Sequence, residues 1–178
     1  MPVSFKPTTL QGVALVECER MKDERGSFAR VFDEQVFEKA EYPLHIVQSN
    51  MNFNAKRGTV RGLHYQITPH AETKLVRVIA GALYDVILDL RPDSPSYKKW
   101  EAFELSAENG HALYIPEGCA HGFQTLADKT EVFYEMGNYY NPDAGRGIRF
   151  DDPVFNIEWP LPVSVISDKD RSYPDWHA

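Results

Sequence analysis

The chain has 178 residues, of which 43% are hydrophobic, 25% charged and 12% aromatic, with a net charge of −7. That length predicts one domain over 1–178, the apolar content excludes a disordered chain, and the acidic balance speaks against a nucleic-acid binder, though not against a nucleotide ligand. No stretch approaches the roughly 20 apolar residues of a membrane helix, the first residues lack the pattern of a signal peptide, and Cys18 and Cys119 are too few for a disulfide scaffold, so a cytoplasmic protein with two reduced thiols is expected.

Period-two alternation recurs along the chain, as in strands whose side chains point to two faces in turn. The first strand is expected over Val13 to Cys18. The only helix is expected over Asp33 to Glu41, with Asp33 as cap and Val36, Phe37 and Ala40 on one stripe. A strand follows at His45 to Asn52, then one at Thr59 to Ile67. The latter puts Val60, Gly62, His64 and Gln66 on one face and Arg61, Leu63, Tyr65 and Ile67 on the other. Lys74 to Ala80 groups Lys74, Val76 and Val78. Gly81 supplies a tight turn, and Ala82 to Leu90 completes the hairpin with Leu83, Asp85 and Ile87 opposite Tyr84, Val86 and Leu88. Shorter strands are expected at Ala102 to Leu105, Ala112 to Ile115, Gly122 to Leu126 and Thr130 to Met136. Turn signals lie among them at Arg91-Pro92-Asp93-Ser94-Pro95, Glu108-Asn109-Gly110 and Pro116-Glu117-Gly118. Many short strands with one short helix predict an all-β sandwich or barrel.

Two of the six histidines, His64 and His121, lie in glycine-flanked, otherwise apolar runs. Alone, each reads as a hydrogen-bonded core residue, because an unpaired buried polar group is costly. Convergence changes the reading. Lys74 shares an apolar face with Val76 and Val78, and Tyr134 shares one with Val132 and Met136. An imidazole, an ammonium and a phenol inside one barrel make a base, an anion stabiliser and a proton donor, a set suited to proton abstraction beside a carbonyl. A metal centre is disfavoured because His64 and His121 form an incomplete ligand set, with no second histidine two residues after His64 and no acid following it before Glu72. There is no P-loop or Gly-x-Gly-x-x-Gly; Arg25 and Arg61 are candidates for gripping a pyrophosphate through their planar forks.

Together these residues resemble the dTDP-4-dehydrorhamnose 3,5-epimerase family. The resemblance runs along nearly the whole chain through Asp23-Glu24-Arg25-Gly26, Gln48-Ser49-Asn50, Arg61-Gly62-Leu63-His64-Tyr65-Gln66, Lys74-Leu75-Val76-Arg77, Ala120-His121-Gly122-Phe123, Tyr139-Tyr140 and Ser167-Asp168-Lys169-Asp170. It implies a cupin-type jelly-roll barrel with a few short helices, a homodimer with exchanged N-terminal strands, a nucleoside-diphospho-4-keto-6-deoxyhexose substrate, and no metal or organic cofactor. By position, His64 becomes the base, Asp170 its orienting acid, Tyr134 the opposing proton donor and Lys74 the enolate stabiliser. Arg25, Gln48, Asn50, Arg61, His121 and Lys169 fall on nucleotide or sugar contacts. Two departures stand out: Arg30 and Gly145, the latter beside Arg146, occupy positions where the family usually carries glutamate. They bear on which nucleotide or sugar is recognised rather than on the proton chemistry. The lead expectation is therefore epimerisation at C3 and C5, or at C3 alone, of a dTDP-linked sugar. The alternatives are a CDP-, GDP- or UDP-linked substrate, a metal-dependent cupin oxygenase or isomerase, and a non-catalytic sugar-binding barrel.

Overall fold

The computed structural model describes residues 2–177. In chain order the elements are β1 (Val3–Pro7), β2 (Ala14–Cys18), β3 (Met21–Asp23), β4 (Gly26–Phe28), α1 (Glu34–Lys39), β5 (Gln48–Asn54), β6 (Val60–Gln66), β7 (Lys74–Ala80) and β8 (Ala82–Asp89). Then follow β9 (Trp100–Ser106), β10 (Ala112–Ile115), β11 (Cys119–Thr125), β12 (Thr130–Met136), β13 (Gly145–Gly147) and α2 (Asp168–Arg171). One sheet has the order β1-β2-β10-β7-β12-β5 and the other β13-β6-β11-β8-β9, while β3 and β4 form a hairpin of their own. This is the expected jelly-roll barrel, and its strand ladders are antiparallel.

Alternation decides what lies inside. Val76, Val78, Leu83, Ile87, Leu113, Ile115 and Val132 point between the sheets and form the inner core. Outside the larger sheet, Phe37 of α1 is fully buried against Ala14, Val16, Leu75 and Tyr114. The helix begins as its sequence predicts: Asp33 caps it by accepting a bond from the Val36 amide at 3.4 Å. Outside the smaller sheet, Val86, Leu88 and Leu63 are covered by Ile148, Phe155 and Ile157 of the irregular C-terminal third.

Two features position the site. Between His121 and Phe123, two steps of β11 oppose three steps of β6, from His64 back to Arg61. The extra residue reverses the side-chain parity of β6. Arg61 thus joins His64 on the cavity wall instead of lying on the opposite face, which corrects the alternation expected from sequence. Glycine is required here: Gly62 has φ +105°, and a Cβ on it would come within 2.6 Å of the Gly122 Cα. The second feature is the C-terminal segment. Arg149 clasps Asp151 at 2.5 Å and Asp175 at 2.6 Å, and the Trp176 amide donates to Asp152 at 2.6 Å. This docking lays α2 against β6.

Candidate active site

The cavity opens between the two sheets and measures about 460 Å³, a volume suited to a small organic ligand. His64 contributes from β6 of the smaller sheet, whereas Lys74 and Tyr134 contribute from β7 and β12 of the larger one. The expected base therefore stands on one wall, and the expected acid and cation on the other.

His64 Nε2 lies 2.6 Å from Asp170 Oδ1, and the second Asp170 oxygen accepts from the Gly62 amide at 3.2 Å. Asp170 is buried, 4% exposed, whereas the His64 side chain is 44% exposed. An ionised carboxylate only accepts, so Nε2 carries the proton and Nδ1 keeps its lone pair. Burial alone would raise the Asp170 carboxyl, but the bonds from His64, Gly62 and Ser167 hold it below the usual carboxylate range. The chain arranges this with Ser167, which caps α2 by accepting from the Asp170 amide at 3.1 Å.

Lys74 is 7% exposed, and its ammonium donates to the His64 carbonyl at 3.3 Å and pairs with Glu72 at 3.0 Å. Glu72 is itself buried and accepts from the Gln66 side-chain Nε2 at 2.6 Å. A fixed carboxylate partner compensates the buried ammonium and keeps it aimed. Tyr134 pairs in register with Val76 on one side and Asn50 on the other, and its hydroxyl makes no hydrogen bond among the described residues. A second imidazole stands beside the first: His121 is the cross-strand neighbour of His64, and its Nε2 lies 2.5 Å from the fully buried Asp85.

Gln48, Asn50 and Asn52 line the cavity from β5, and Gln48 accepts from the Tyr140 amide at 2.6 Å. Arg61 is aimed by Asn54, which accepts from its Nε at 2.7 Å. Lys169, Arg61 and Arg146 all border the cavity, and none of the three forms an ion pair among the described residues. In a chain of net charge −7, such cations mark a place for an anion. Arg25 is different. It sits exposed on the β3–β4 hairpin, paired with Asp23 at 2.5 Å, and does not reach the cavity of its own chain. Among the described residues no group of three or more His, Cys, Asp or Glu is placed to hold a metal.

A base held by a buried acid, a phenol across the cavity and a cation between them make up a site for moving protons at a carbon beside a carbonyl. A family model described as dTDP-4-dehydrorhamnose 3,5-epimerase matches residues 7–178. The chain belongs to the dTDP-4-dehydrorhamnose 3,5-epimerase family. Among the similar proteins is the 3,5-epimerase of Sinorhizobium fredii, 43% identical over 171 residues that cover 96% of this chain and 88% of the relative. The dTDP-4-dehydrorhamnose 3-epimerase of Streptomyces niveus is 33% identical over 94% of this chain and 81% of its own. The crystal structure of the 3,5-epimerase of Bacillus anthracis, with TDP and PPi bound, superposes with a TM-score of 0.95 at 40% identity, covering 98% of this chain and 100% of that one.

Sequence reasoning assigned no role to several residues of this epimerase-family site: Glu72 behind Lys74, Asp85 behind His121, and Tyr140 and Tyr173 at the cavity wall. Asp85 did carry a signal. It lies on a strand face with Leu83 and Ile87, as Lys74 lies with Val76 and Val78, and a carboxylate on an apolar face needs a partner. Arg30, and Arg146 beside Gly145, have partners within the chain. Arg30 pairs with Asp33 at 2.9 Å, and Arg146 donates to the carbonyls of Asp143 and Gly145, both at 2.9 Å.

Proposed function

We propose that this protein inverts C3 and C5 of a dTDP-linked 4-keto-6-deoxyhexose. The observation that carries the reading is the pairing of His64 with buried Asp170 on one wall of a cavity whose other wall holds Tyr134 and Lys74. Both C3 and C5 flank the C4 ketone, so either C–H becomes acidic through an enolate. His64 Nδ1 takes the proton, and the C–H electron pair moves to the C4 oxygen. The Lys74 ammonium faces the developing charge, a contribution of about 3 kcal/mol by comparison with one oxyanion donor. Tyr134 returns a proton from the opposite face and inverts the centre. Solvent then restores the phenol and takes the proton from His64. Asp170 holds the imidazole in the required tautomer and balances its transient charge. Arg61 and Lys169, with Arg146 at the rim, bind the diphosphate; Gln48, Asn50 and His121 contact nucleotide or sugar.

Arg25 serves the site only if its hairpin reaches the cavity of a second copy, and we include that exchange and a homodimer in the proposal. Edge strand β5 supports a homodimer: its polar Gln48, Asn50 and Asn52 face the cavity, while Met51 and Phe53 point outward at 64% and 54% exposure. The nucleotide-sugar substrate and the free thiols Cys18 and Cys119 support a cytoplasmic setting. No helix is long and apolar enough to cross a membrane among the described residues.

Solvent exchange tests the reaction. The protein is incubated in D₂O with dTDP-4-keto-6-deoxyglucose and no reductase, and the C3 and C5 protons are followed by NMR. Loss of both signals is expected, and the inverted product is then trapped with a ketoreductase. Loss of H3 alone would replace the proposal with a 3-epimerase, and exchange of neither would exclude the dTDP-linked sugar. His64→Ala is expected to slow both exchanges by at least about 10³-fold while nucleotide affinity holds; near-normal rates would remove His64 as the base.

A further inference from the structure

The phenol ring of Tyr173 lines the cavity and takes no part in the proton transfers above. Its centroid lies 6.3 Å from that of the His64 imidazole, with the two planes at 71°. It follows Ser172, the C-cap of α2, so the turn that brings Asp170 to His64 brings this ring as well. Beneath the ring lies Gly147, the ladder partner of His64. A Cβ on Gly147 would overlap the Tyr173 ring, although the Gly147 backbone is outside the left-handed region. The ring, not the backbone, therefore demands glycine at that position. Gly145, two residues earlier, makes the contrast: a Cβ there would meet only ordinary contacts, the nearest at 3.5 Å.

We propose that Tyr173 is a specificity-determining residue whose ring forms an apolar wall beside the base for the C6 methyl of a 6-deoxyhexose, with Gly147 as the residue that makes room for it. The inference rests on the epimerase reading and follows from its geometry. A base that removes H5 must come close to C5, and the methyl is bonded to that same carbon. The methyl lies one bond from the reacting atom, and the Tyr173 ring is an aromatic surface standing beside the imidazole that would take H5. Apart from Phe123, Met136 and three other tyrosines, the remaining lining is mostly amide, guanidinium, ammonium and imidazole, which gain nothing from a methyl group. C3 carries no methyl, so the wall acts on the C5 step and not on the C3 step.

The test compares H3 and H5 exchange in D₂O for the wild type, Tyr173→Phe, Tyr173→Ala and Gly147→Ala, with dTDP affinity measured by calorimetry. Tyr173→Ala and Gly147→Ala, which remove and displace the ring respectively, are expected to slow H5 exchange about four- to tenfold relative to H3. Tyr173→Phe is expected to keep the wild-type ratio, and dTDP affinity should hold in all three. A merely structural role would lower both exchanges and dTDP affinity together and would overturn the inference. An unchanged ratio in the alanine variants would overturn it too, as would a Tyr173→Phe variant behaving like Tyr173→Ala, since the hydroxyl would then carry the effect. A wild type that exchanges neither proton removes the epimerase reading itself, and one that exchanges H3 alone removes the C5 step; the inference falls in both cases.

Discussion

A carboxylate that can only accept hydrogen bonds decides which nitrogen of its histidine is free to act, and Asp170 applies that rule to His64. Replacing Asp170 with Asn preserves shape but offers an amide that can donate to Nε2, favouring the wrong tautomer. Asp170→Asn is expected to lower turnover by about 10³- to 10⁴-fold with little change in dTDP affinity, as in other His–Asp pairs. Steady-state rates and calorimetry on the same preparation check it; a loss under tenfold would mean that His64 does not need its partner. Cys119 shows the same dependence on surroundings without a role in the chemistry. Burial pushes its thiol up to about 12, so it remains a neutral packing group at physiological pH.

At the level of elements, the loop after β8 is tied down by one buried carboxylate. Asp89 accepts from Arg91 through its amide, Nε and Nη2 at 3.0, 2.9 and 2.8 Å, and from the hydroxyls of Ser94 and Ser96 at 2.5 and 2.6 Å. Burial alone would raise its carboxyl, but these bonds hold it far below the ordinary range. A carboxyl depressed in the folded state contributes stability above its unfolded value, near pH 4, and loses it as pH falls through the folded value. Asp89→Asn is expected to cost about 3 kcal/mol at pH 7, with the difference from wild type shrinking under strongly acidic conditions. Urea unfolding at several pH values checks this. Four strands around the site were legible because each has five or more alternating residues: β7 and β12 fall at their expected bounds, and β6 and β8 within one residue, whereas β5 and β11, which also line the cavity, start three residues away from theirs. Other elements carry no such pattern. β13 is Gly-Arg-Gly, α2 is four polar residues, and β3 and β4 have three residues each. The parity reversal in β6 was equally invisible, because a bulge is a property of the pairing and strict alternation read along one strand cannot contain it. Hence Lys74 and Tyr134 could be placed in the interior from their own strands, whereas the joining of Arg61 to His64 required both strands.

The molecule as a whole carries a charge opposite to that of its site. Its net charge of −7 would repel a diphosphate at long range, and Arg61, Arg146 and Lys169 reverse that field only at the cavity. Its outer surface is uneven in a second way, with Met51, Phe53 and Ile79 exposed on neighbouring parts of the larger sheet. Such a patch fits contact with a second copy. Light scattering is expected to give twice the chain mass for the wild type and a shift towards one chain mass for the Met51→Lys, Phe53→Lys double variant. A monomeric wild type would remove both the dimer and any role for Arg25 in a neighbour's cavity.

His64 and Asp170 are separated by 106 positions. At a synthesis rate of about 5 to 20 residues per second, the imidazole waits roughly 5 to 20 s on the ribosome before its acid is made. All thirteen strands of the described residues precede Asp170 in the chain, so the acid is made only after the whole barrel sequence. A chain that ends between Gly147 and Asp170 would carry every strand that lines the cavity and the base itself, but not the acid that orients it.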